Sequence, residues 1–419
     1  MTAINEDLKA YIDSLKTENK GDPEFDYGPF ARELRGLGEL ELEFFKEMLE
    51  TGRQSIFFND GGLVKRFEKA FARYAGAPAA LARTNGMCAL ADMVSMSGAG
   101  VGDEIICDPI VHFGALATLF TNAVPRFCDI DPDTYLMDPE SLRATITPLT
   151  KAVIVTHLWG LSARIDEIAA ICKEHNLFLI EDCAHAVGAR WKDQHVGTFG
   201  NAGMFSLQEF KQLSTGDGSL ITVRDQAFAD EVENIWGFSG ESPLRMTLNW
   251  RMNEATAAVG LAQLLRVDGI NDYYGETLKI FNEAIADCPW LENRLVPDEA
   301  TQVGYWFACK WEGDKHGLSY ARFKELNEEL GIGLRFGFNE TAPYEFDFFK
   351  NGNIYGQDCP YRCPVYRQKT QHVDRTGQCP IVEEVMPRLV TVNLIFQGHD
   401  QARVQIDKLH QAIELMKRG

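Results

Sequence analysis

Strand-like runs of β-favouring residues alternate with helical stretches from Ala79 to about Val223, and this alternation is the strongest constraint on the fold. Several of the runs are apolar along their whole length, which is typical of parallel strands covered by helices on both faces. The strand-like runs include Glu104–Cys107, Ala152–Thr156 and Phe178–Ile180, and the helical stretches include Phe113–Asn122 and Ile165–Glu174. Such alternation predicts an α/β layer fold with a mostly parallel sheet between helices.

A proline interrupts one further strand-like run, Val124–Cys128. Proline lacks the N–H that a central strand donates to its neighbour, so within sheets it occurs at strand starts and on edge strands. Pro125 therefore predicts that a strand begins here or that it lies at the edge of the sheet.

Three segments are predicted from the change in pattern along the chain. Residues 1–38 are mostly polar and form an N-terminal arm with a short amphipathic helix around Tyr11, and residues 39–276 form the large α/β domain. Residues 277–419 form a smaller α+β domain, a division that suits the length of the chain. In the small domain the predicted strands are Trp306–Trp311 and Leu389–Ile395, and the predicted helices are Ser319–Leu330 and Asp400–Lys417.

The charge and the apolar runs of the chain argue against two classes of partner. A net charge of −20 argues against nucleic acid, because binding to a phosphate backbone requires a basic face. No apolar run reaches membrane-spanning length, and the first residues lack the basic stretch and apolar run of a signal peptide. We therefore expect no membrane partner, a cytoplasmic location and reduced thiols for the ten cysteines.

Three separate motifs carry groups that suit one cofactor. Thr84-Asn85-Gly86 precedes a helical pattern, and the N–H groups at a helix N-terminus bind phosphate well. Asp182 follows an apolar strand, at the end where α/β sheets bind their ligands. Lys211 comes later, among the apolar residues Phe205, Leu207 and Phe210. Each motif alone has an ordinary explanation, namely a strand-to-helix turn, a solvated turn acid and a solvated lysine.

Taken in this order, the three motifs indicate a pyridoxal-phosphate site. The phosphate requires N–H donors, and the pyridine nitrogen requires a carboxylate that keeps it protonated. The aldehyde requires an amine, which reacts in its neutral form. Asp182 would supply the carboxylate and Lys211 the amine.

As a set, these motifs resemble those of the DegT/DnrJ/StrS-type sugar aminotransferases, which are pyridoxal-phosphate enzymes of fold type I. The resemblance runs from about Gly61 to Asp268 and is weaker toward the C-terminus. It implies a large cofactor-binding domain and a smaller C-terminal domain. The matching motifs are Gly62–Tyr74, Thr84-Asn85-Gly86, Val101–Ile106, His157-Leu158-Trp159-Gly160, Glu181–His185, Phe205–Lys211 and Asn249-Trp250-Arg251-Met252.

The resemblance also implies a role for each site residue. Lys211 would form the Schiff base and act as the catalytic proton shuttle. Asn249 would reach the phosphate in the neighbouring subunit, which implies a homodimer with shared active sites. The other implied cofactor contacts are Asp182 to the pyridine nitrogen, His185 to the ring hydroxyl, Phe113 to the ring face, and Gly86, Met87 and Ser206 to the phosphate.

Four positions depart from the family's pattern. Met87 stands where the family usually has threonine, and Phe210 stands where a small hydroxyl residue is common. His112 replaces a common threonine, and Gly216–Ser219 replaces Gly-Glu-Gly-Gly in the loop after the lysine. None of these changes removes an essential group, so together they indicate a divergent subgroup.

The activity that the resemblance implies is transfer of an amino group from glutamate or glutamine to a keto-sugar or keto-cyclitol. Such a reaction belongs to the biosynthesis of amino sugars or antibiotics. A related sugar dehydratase is one alternative, but the family's dehydratases carry histidine where this chain has Lys211. A non-catalytic regulatory relative is another; it predicts loss of Lys211 or Asp182, and both are present.

A group of cysteines raises the question of a metal site. Cys359, Cys363 and Cys379 accompany His372 in the irregular segment Thr341–Pro380. Zinc sites favour pairs of cysteines a few residues apart, and no second close pair follows the first. We therefore expect thiols here and no metal site.

Overall fold

The computed structural model describes residues 11, 36–52, 54, 62–234, 248–339, 341–352, 354–356, 358–369, 379–395 and 398–418. Most of the predicted N-terminal arm lies outside these residues, including its predicted short helix apart from Tyr11, and so does His372. Within the described ranges, no helix has both the length and the apolar character needed to cross a membrane.

Strands and helices alternate through the first half of the described chain, as the sequence predicts. The strands are β1 (Ala79–Arg83), β2 (Glu104–Cys107), β3 (Val124–Phe127), β4 (Thr150–Thr156), β5 (Phe178–Asp182), β6 (Arg190–Trp191), β7 (Gln194–His195), β8 (Ala202–Ser206), β9 (Ser219–Val223), β10 (Leu291–Asn293), β11 (Ala300–Thr301), β12 (Trp306–Trp311), β13 (Arg335–Phe336) and β14 (Leu389–Asn393). The α-helices are α1 (Glu39–Thr51), α2 (Leu63–Ala75), α3 (Gly86–Met96), α4 (Phe113–Leu119), α5 (Pro139–Thr145), α6 (Ile165–Glu174), α7 (Gln226–Asn234), α8 (Glu254–Leu264), α9 (Val267–Ala284), α10 (Tyr320–Leu330), α11 (Asp347–Asn351), α12 (Pro364–Lys369), α13 (Pro380–Val385) and α14 (His399–Arg418).

A seven-stranded sheet, in the order β1-β9-β8-β5-β4-β2-β3, organises the first half of the chain. The strands β8, β5, β4, β2 and β3 run parallel, and β9 is antiparallel to both of its neighbours. Helices α2, α3, α4 and α6 pack against these strands. The prediction of a mostly parallel sheet between helices is therefore confirmed.

Single residues determine where one strand lies in the sheet and where one helix ends. Pro125 lies in β3, which is an edge strand of the sheet, as its missing N–H predicts. The helix that follows β2 ends at Leu119 instead of the predicted Asn122. Asn122 adopts a φ of 58°, and its N–H bonds to the Leu119 carbonyl to close a turn. β5 continues beyond the predicted Ile180, so Asp182 is the last residue of the strand.

A second sheet, in the order β10-β12-β14-β13, is antiparallel throughout. β12 spans the predicted Trp306–Trp311, and α10 begins after Ser319, whose side chain caps the first turn. α9 runs unbroken through residue 276, where the predicted boundary between the large and small domains falls. The division of the chain into domains stays a prediction.

The sheet brings three segments of the chain to one edge. β5 and β8 are parallel neighbours, so Asp182 and Ser206 end their strands side by side. β1 also points toward this edge, and α3 begins at Gly86 soon after β1 ends. This carboxyl edge is where open α/β sheets bind their ligands.

Candidate active site

A cavity of about 370 Å³ opens at the carboxyl ends of β5 and β8. Its walls come from the start of α3, the start of α4, the two strand ends and the loop between β8 and β9. Of the predicted site residues all but Asn249 line this cavity: Gly86, Met87, Phe113, Asp182, His185, Ser206 and Lys211.

The N-terminus of α3 forms one end of the cavity. The Asn85 side chain caps this helix by accepting the N–H of Cys88 at 2.9 Å, and the N–H groups of Gly86 and Met87 have no acceptor within the helix. Ser206 lies close by, because a Cβ placed on Gly86 would come within 3.3 Å of the Ser206 Cβ. Backbone donors, the positive end of a helix and a hydroxyl thus converge, and this arrangement suits a phosphate group.

The Asp182 carboxylate lies in the cavity wall and is only 2% exposed. Its Oδ1 accepts the backbone N–H of Ala184 at 3.0 Å. Burial raises the pKa of Asp182 to about 6, against the opposing effects of that hydrogen bond and of the Lys211 charge. Because burial destabilises the ionised form of this carboxylate, a cationic partner in the cavity, such as a protonated ring nitrogen, would stabilise it.

The His185 ring lies between the cavity and the second half of the chain. Its centre is 4.6 Å from that of the Tyr305 ring, and Gln212 Nε2 donates to the His185 carbonyl at 2.8 Å. Burial holds the pKa of His185 well below its usual range, so the imidazole is neutral at physiological pH. Its Nδ1 is buried without a hydrogen-bond partner in the described part of the chain, so a bound group can satisfy it.

The loop between β8 and β9 carries Lys211. The backbone N–H of Lys211 bonds to the Gln208 carbonyl at 2.9 Å, which fixes a turn at this point of the loop. Nζ donates a hydrogen bond to the Tyr305 hydroxyl at 3.0 Å and lies 5.0 Å from the centre of the ring. The amine and the Asp182 carboxylate therefore face one cavity from different elements.

The residues present fit pyridoxal phosphate. The start of α3 suits the phosphate, the buried Asp182 suits a protonated ring nitrogen, and Lys211 supplies an amine. The unsatisfied Nδ1 of His185 suits a ring hydroxyl. Phe113 is 43% exposed on the cavity wall, an apolar face that an aromatic ring can cover. The roles of the single residues stay predictions.

Asn249 lies outside the cavity, and its side chain is exposed. The next residue, Trp250, accepts the N–H of Thr84 at 3.0 Å through its carbonyl and packs 5.3 Å from the Phe120 ring. The segment is thus anchored beside the turn that precedes α3 in its own subunit. The contact of Asn249 with a partner's phosphate stays a prediction.

Tyr305 is the main contact that the sequence analysis missed. It meets Lys211 from 94 residues further along the chain, and no spacing or motif connects the two. Thr156 also lines the cavity, and its hydroxyl donates to the Asp108 carboxylate. One sequence signal for Thr156 was available, because it ends an apolar strand just as Asp182 does.

One cluster of metal-binding residue types lies outside the cavity in the described part of the chain. None of the ten cysteines, all of which fall in the described ranges, forms a disulfide. His157, Glu181 and Cys183 lie close enough together to hold a metal ion. However, the Glu181 carboxylate accepts three backbone N–H groups from residues 197–200, and His157 Nε2 bonds to it at 3.0 Å. These bonds are those of a structural network that supports β5.

Comparison with known proteins finds sugar and cyclitol aminotransferases. The chain is 38% identical over 315 residues to L-glutamine:2-deoxy-scyllo-inosose aminotransferase of Streptomyces lividus, covering 69% of this chain and 73% of that protein. It is 38% identical over 304 residues to GDP-perosamine synthase of Caulobacter vibrioides, covering 70% of this chain and 80% of that protein.

The solved structures agree with the sequence comparison. The crystal structure of 3-amino-5-hydroxybenzoic acid synthase matches with a TM-score of 0.75 at 25% identity, covering 90% of this chain and 97% of that one. The fold is that of the type I pyridoxal-phosphate enzymes, as predicted. The sequence model of the DegT/DnrJ/EryC1/StrS aminotransferase family matches residues 39–388 of this chain. The chain therefore belongs to this family and is a pyridoxal-phosphate-dependent aminotransferase.

Proposed function

We propose that the enzyme transfers an amino group from glutamate or glutamine to the keto group of a sugar or cyclitol, in the biosynthesis of amino sugars or antibiotics. The observation that carries the proposal is the convergence of Lys211 and Asp182 on one cavity that ends at a helix N-terminus. The substrate class is supported by the names of two relatives, one an L-glutamine:2-deoxy-scyllo-inosose aminotransferase and the other a GDP-perosamine synthase.

The proposed roles follow from where each group lies. When bound, pyridoxal phosphate supplies an electron sink for the carbon that gains or loses a proton. Lys211 moves this proton as a general acid and base, because its amine lies in the cavity wall. Asp182 holds the positive charge of the ring nitrogen. The remaining contacts are His185 with the ring hydroxyl, Phe113 with the ring face, and Gly86, Met87 and Ser206 with the phosphate.

The alternatives make different predictions at the same residues. A dehydratase of this family would have histidine in place of Lys211, and a regulatory relative would lack the lysine or the acid. Lys211 and Asp182 both line the cavity, which favours transamination. A yellow colour in the purified protein would argue against a cofactor-free regulator.

We also propose a cytoplasmic homodimer with shared active sites and with neither nucleic acid nor membrane as a partner. The exposed position of Asn249, outside the cavity of its own subunit, is consistent with a contact to a second subunit. The absence of disulfides among the ten cysteines suits a reducing compartment. The net charge of −20 disfavours nucleic acid.

A screen of keto substrates tests the proposed function. Enzyme loaded with the amine form of the cofactor is mixed with keto-sugars and keto-cyclitols, both free and nucleotide-linked. A true substrate should restore the absorbance of the aldehyde form and give an amine product by mass spectrometry. Lys211→Ala is the control that should give neither. The substrate class is wrong if every sugar and cyclitol fails while 2-oxoglutarate restores the absorbance.

A further inference from the structure

Tyr305 contacts both the reactive amine and the histidine of the active site. Its hydroxyl accepts a hydrogen bond from Lys211 Nζ at 3.0 Å, and its ring centre lies 4.6 Å from that of His185. The residue is 4% exposed and comes from the loop that leads into β12. We propose that Tyr305 is a positioning residue that holds the Lys211 amine whenever this amine is not bonded to the cofactor. The proposal rests on the role of Lys211 given above.

The backbone that carries Tyr305 is held closely on two sides. The Val303 N–H donates to the Gly160 carbonyl at 2.9 Å, and a Cβ on Gly160 would lie 2.0 Å from the Val303 carbonyl oxygen. A Cβ on Gly304 would lie 2.1 Å from the Tyr274 carbonyl oxygen. Only glycine permits these two close approaches. The tyrosine hydroxyl is therefore placed by fixed backbone, as a group that aligns a reacting atom must be.

The hydroxyl controls the direction of the amine. A lysine side chain has a flexible stem of four carbons, so its amine has many positions open to it. A hydrogen bond to a fixed oxygen selects one of these positions, beside the cavity that Asp182 and His185 also line. Tyr305 itself gains and loses no atom in this role.

A different role for Tyr305 would be to support His185 through its ring alone. Tyr305→Phe separates the two roles, because it removes the hydroxyl and keeps the ring against His185. Tyr305→Leu removes both. Tyr344→Phe is a matched control, since Tyr344 is similarly buried, at 2% exposed, does not line the cavity, and donates its hydroxyl to Glu383 at 2.6 Å.

The first measurement needs no cofactor and no substrate. Cofactor-free protein is treated with acetic anhydride near neutral pH, and mass spectrometry gives the labelling rate of Lys211 relative to exposed lysines in the same sample. Loss of the oxygen that holds the amine in place frees it to meet the reagent, so the rate should rise about fivefold in Tyr305→Phe and in Tyr305→Leu. Tyr344→Phe should label as the wild type does. Thermal melting checks that each variant is folded.

The second measurement uses the loaded enzyme. In Tyr305→Phe, kcat should fall about tenfold while KM for the amino donor changes less than about twofold, because positioning acts on the proton transfer. Unchanged labelling of Lys211 would overturn the proposal, even if stability falls. Borohydride reduction and peptide mapping test the proposed function separately. A cofactor attached to a lysine other than Lys211 would overturn that function, whatever the labelling of the Tyr305 variants shows.

Discussion

At the scale of single residues, the buried carboxylate of Asp182 lowers the stability of the cofactor-free fold. Burial raises its pKa from the ordinary value of 3.8 to about 6, so at neutral pH the ionised carboxylate destabilises the cofactor-free fold. The interval between those pKa values corresponds to about 3 kcal/mol. A protonated ring nitrogen beside the carboxylate would offset this cost, which explains why a buried acid is tolerated here.

Asp182→Asn should therefore stabilise the cofactor-free protein at high pH and inactivate the enzyme. The folded state binds this proton more tightly than the unfolded chain, so the wild-type fold loses stability as the pH rises from about 4 to about 6. The advantage of the Asp182→Asn variant should grow by about 1.5 kcal/mol between pH 5 and pH 8. Chemical denaturation at several pH values measures it.

The same variant should react slowly with the amino donor, because an amide cannot hold the ring nitrogen protonated. Asp193→Asn, in an exposed turn, is the control for both measurements. A stability advantage of Asp182→Asn that does not change with pH would show that Asp182 is not the residue whose burial matters. An unchanged half-reaction with the donor would mean that another group faces the ring nitrogen.

At the scale of elements, the turn after β4 determines how the two halves of the site meet. Trp159 adopts φ 55° and ψ 40°, and Gly160 has a φ of 81°. Arg294 Nη1 donates to the Leu158 carbonyl at 2.8 Å, which fixes the start of the turn. The Gly160 carbonyl then accepts the Val303 N–H, two residues before Tyr305. A strained turn thus connects β4 to the residue that touches the lysine.

Gly160→Ala should disrupt this connection. The new Cβ would lie 2.0 Å from the Val303 oxygen, in addition to the cost of a positive φ. We expect a loss of about 3–4 kcal/mol in the free energy of unfolding and a lower kcat. Gly317→Ala is the matched control, with a φ of 71° and no atom within 4 Å of the Cβ, and it should lose only about 1–2 kcal/mol. Equal losses in the two variants would contradict the steric argument.

At the scale of the whole molecule, the site depends on parts of the chain that lie far apart. The first sheet supplies Asp182, Ser206 and the loop with Lys211, and Tyr305 leads into the second sheet. Asn249 belongs to neither the cavity nor its walls in the same subunit. A homodimer in which Asn249 completes the partner's site would give this residue a role. The two subunits of such a dimer are related by a two-fold axis, so each would complete the site of the other.

Mixed dimers test the shared site. Lys211→Ala and Asn249→Ala subunits, each inactive alone, should regain activity when co-expressed, because a mixed dimer holds one site with both residues intact. Random pairing predicts about a quarter of the wild-type activity. Co-expression of Lys211→Ala with the double variant is the control and should give none. If mixed dimers form and no activity returns, the shared-site hypothesis is wrong and Asn249 acts within its own subunit.

The sequence by itself determined the features that depend on local pattern. Apolar runs predicted the parallel strands, because a strand buried on both faces needs apolar residues at every position. Pro125 predicted a strand start or an edge strand, since its missing N–H is a property of one residue, and β3 lies at the edge of the sheet. The order of the phosphate turn, Asp182 and Lys211 predicted the site, and these residues line one cavity. Each of these inferences used either residues that are close together in the chain or the order of motifs along it.

Only the tertiary structure determined the contacts made between distant segments. Tyr305 meets Lys211 across 94 residues, and the raised pKa of Asp182 arises chiefly from burial that no single segment provides. The end of α4 at Leu119 depended on the conformation of Asn122, which the helical pattern did not reveal. Such features follow from packing, which depends on the simultaneous positions of many residues. Local sequence patterns carry no direct record of those positions.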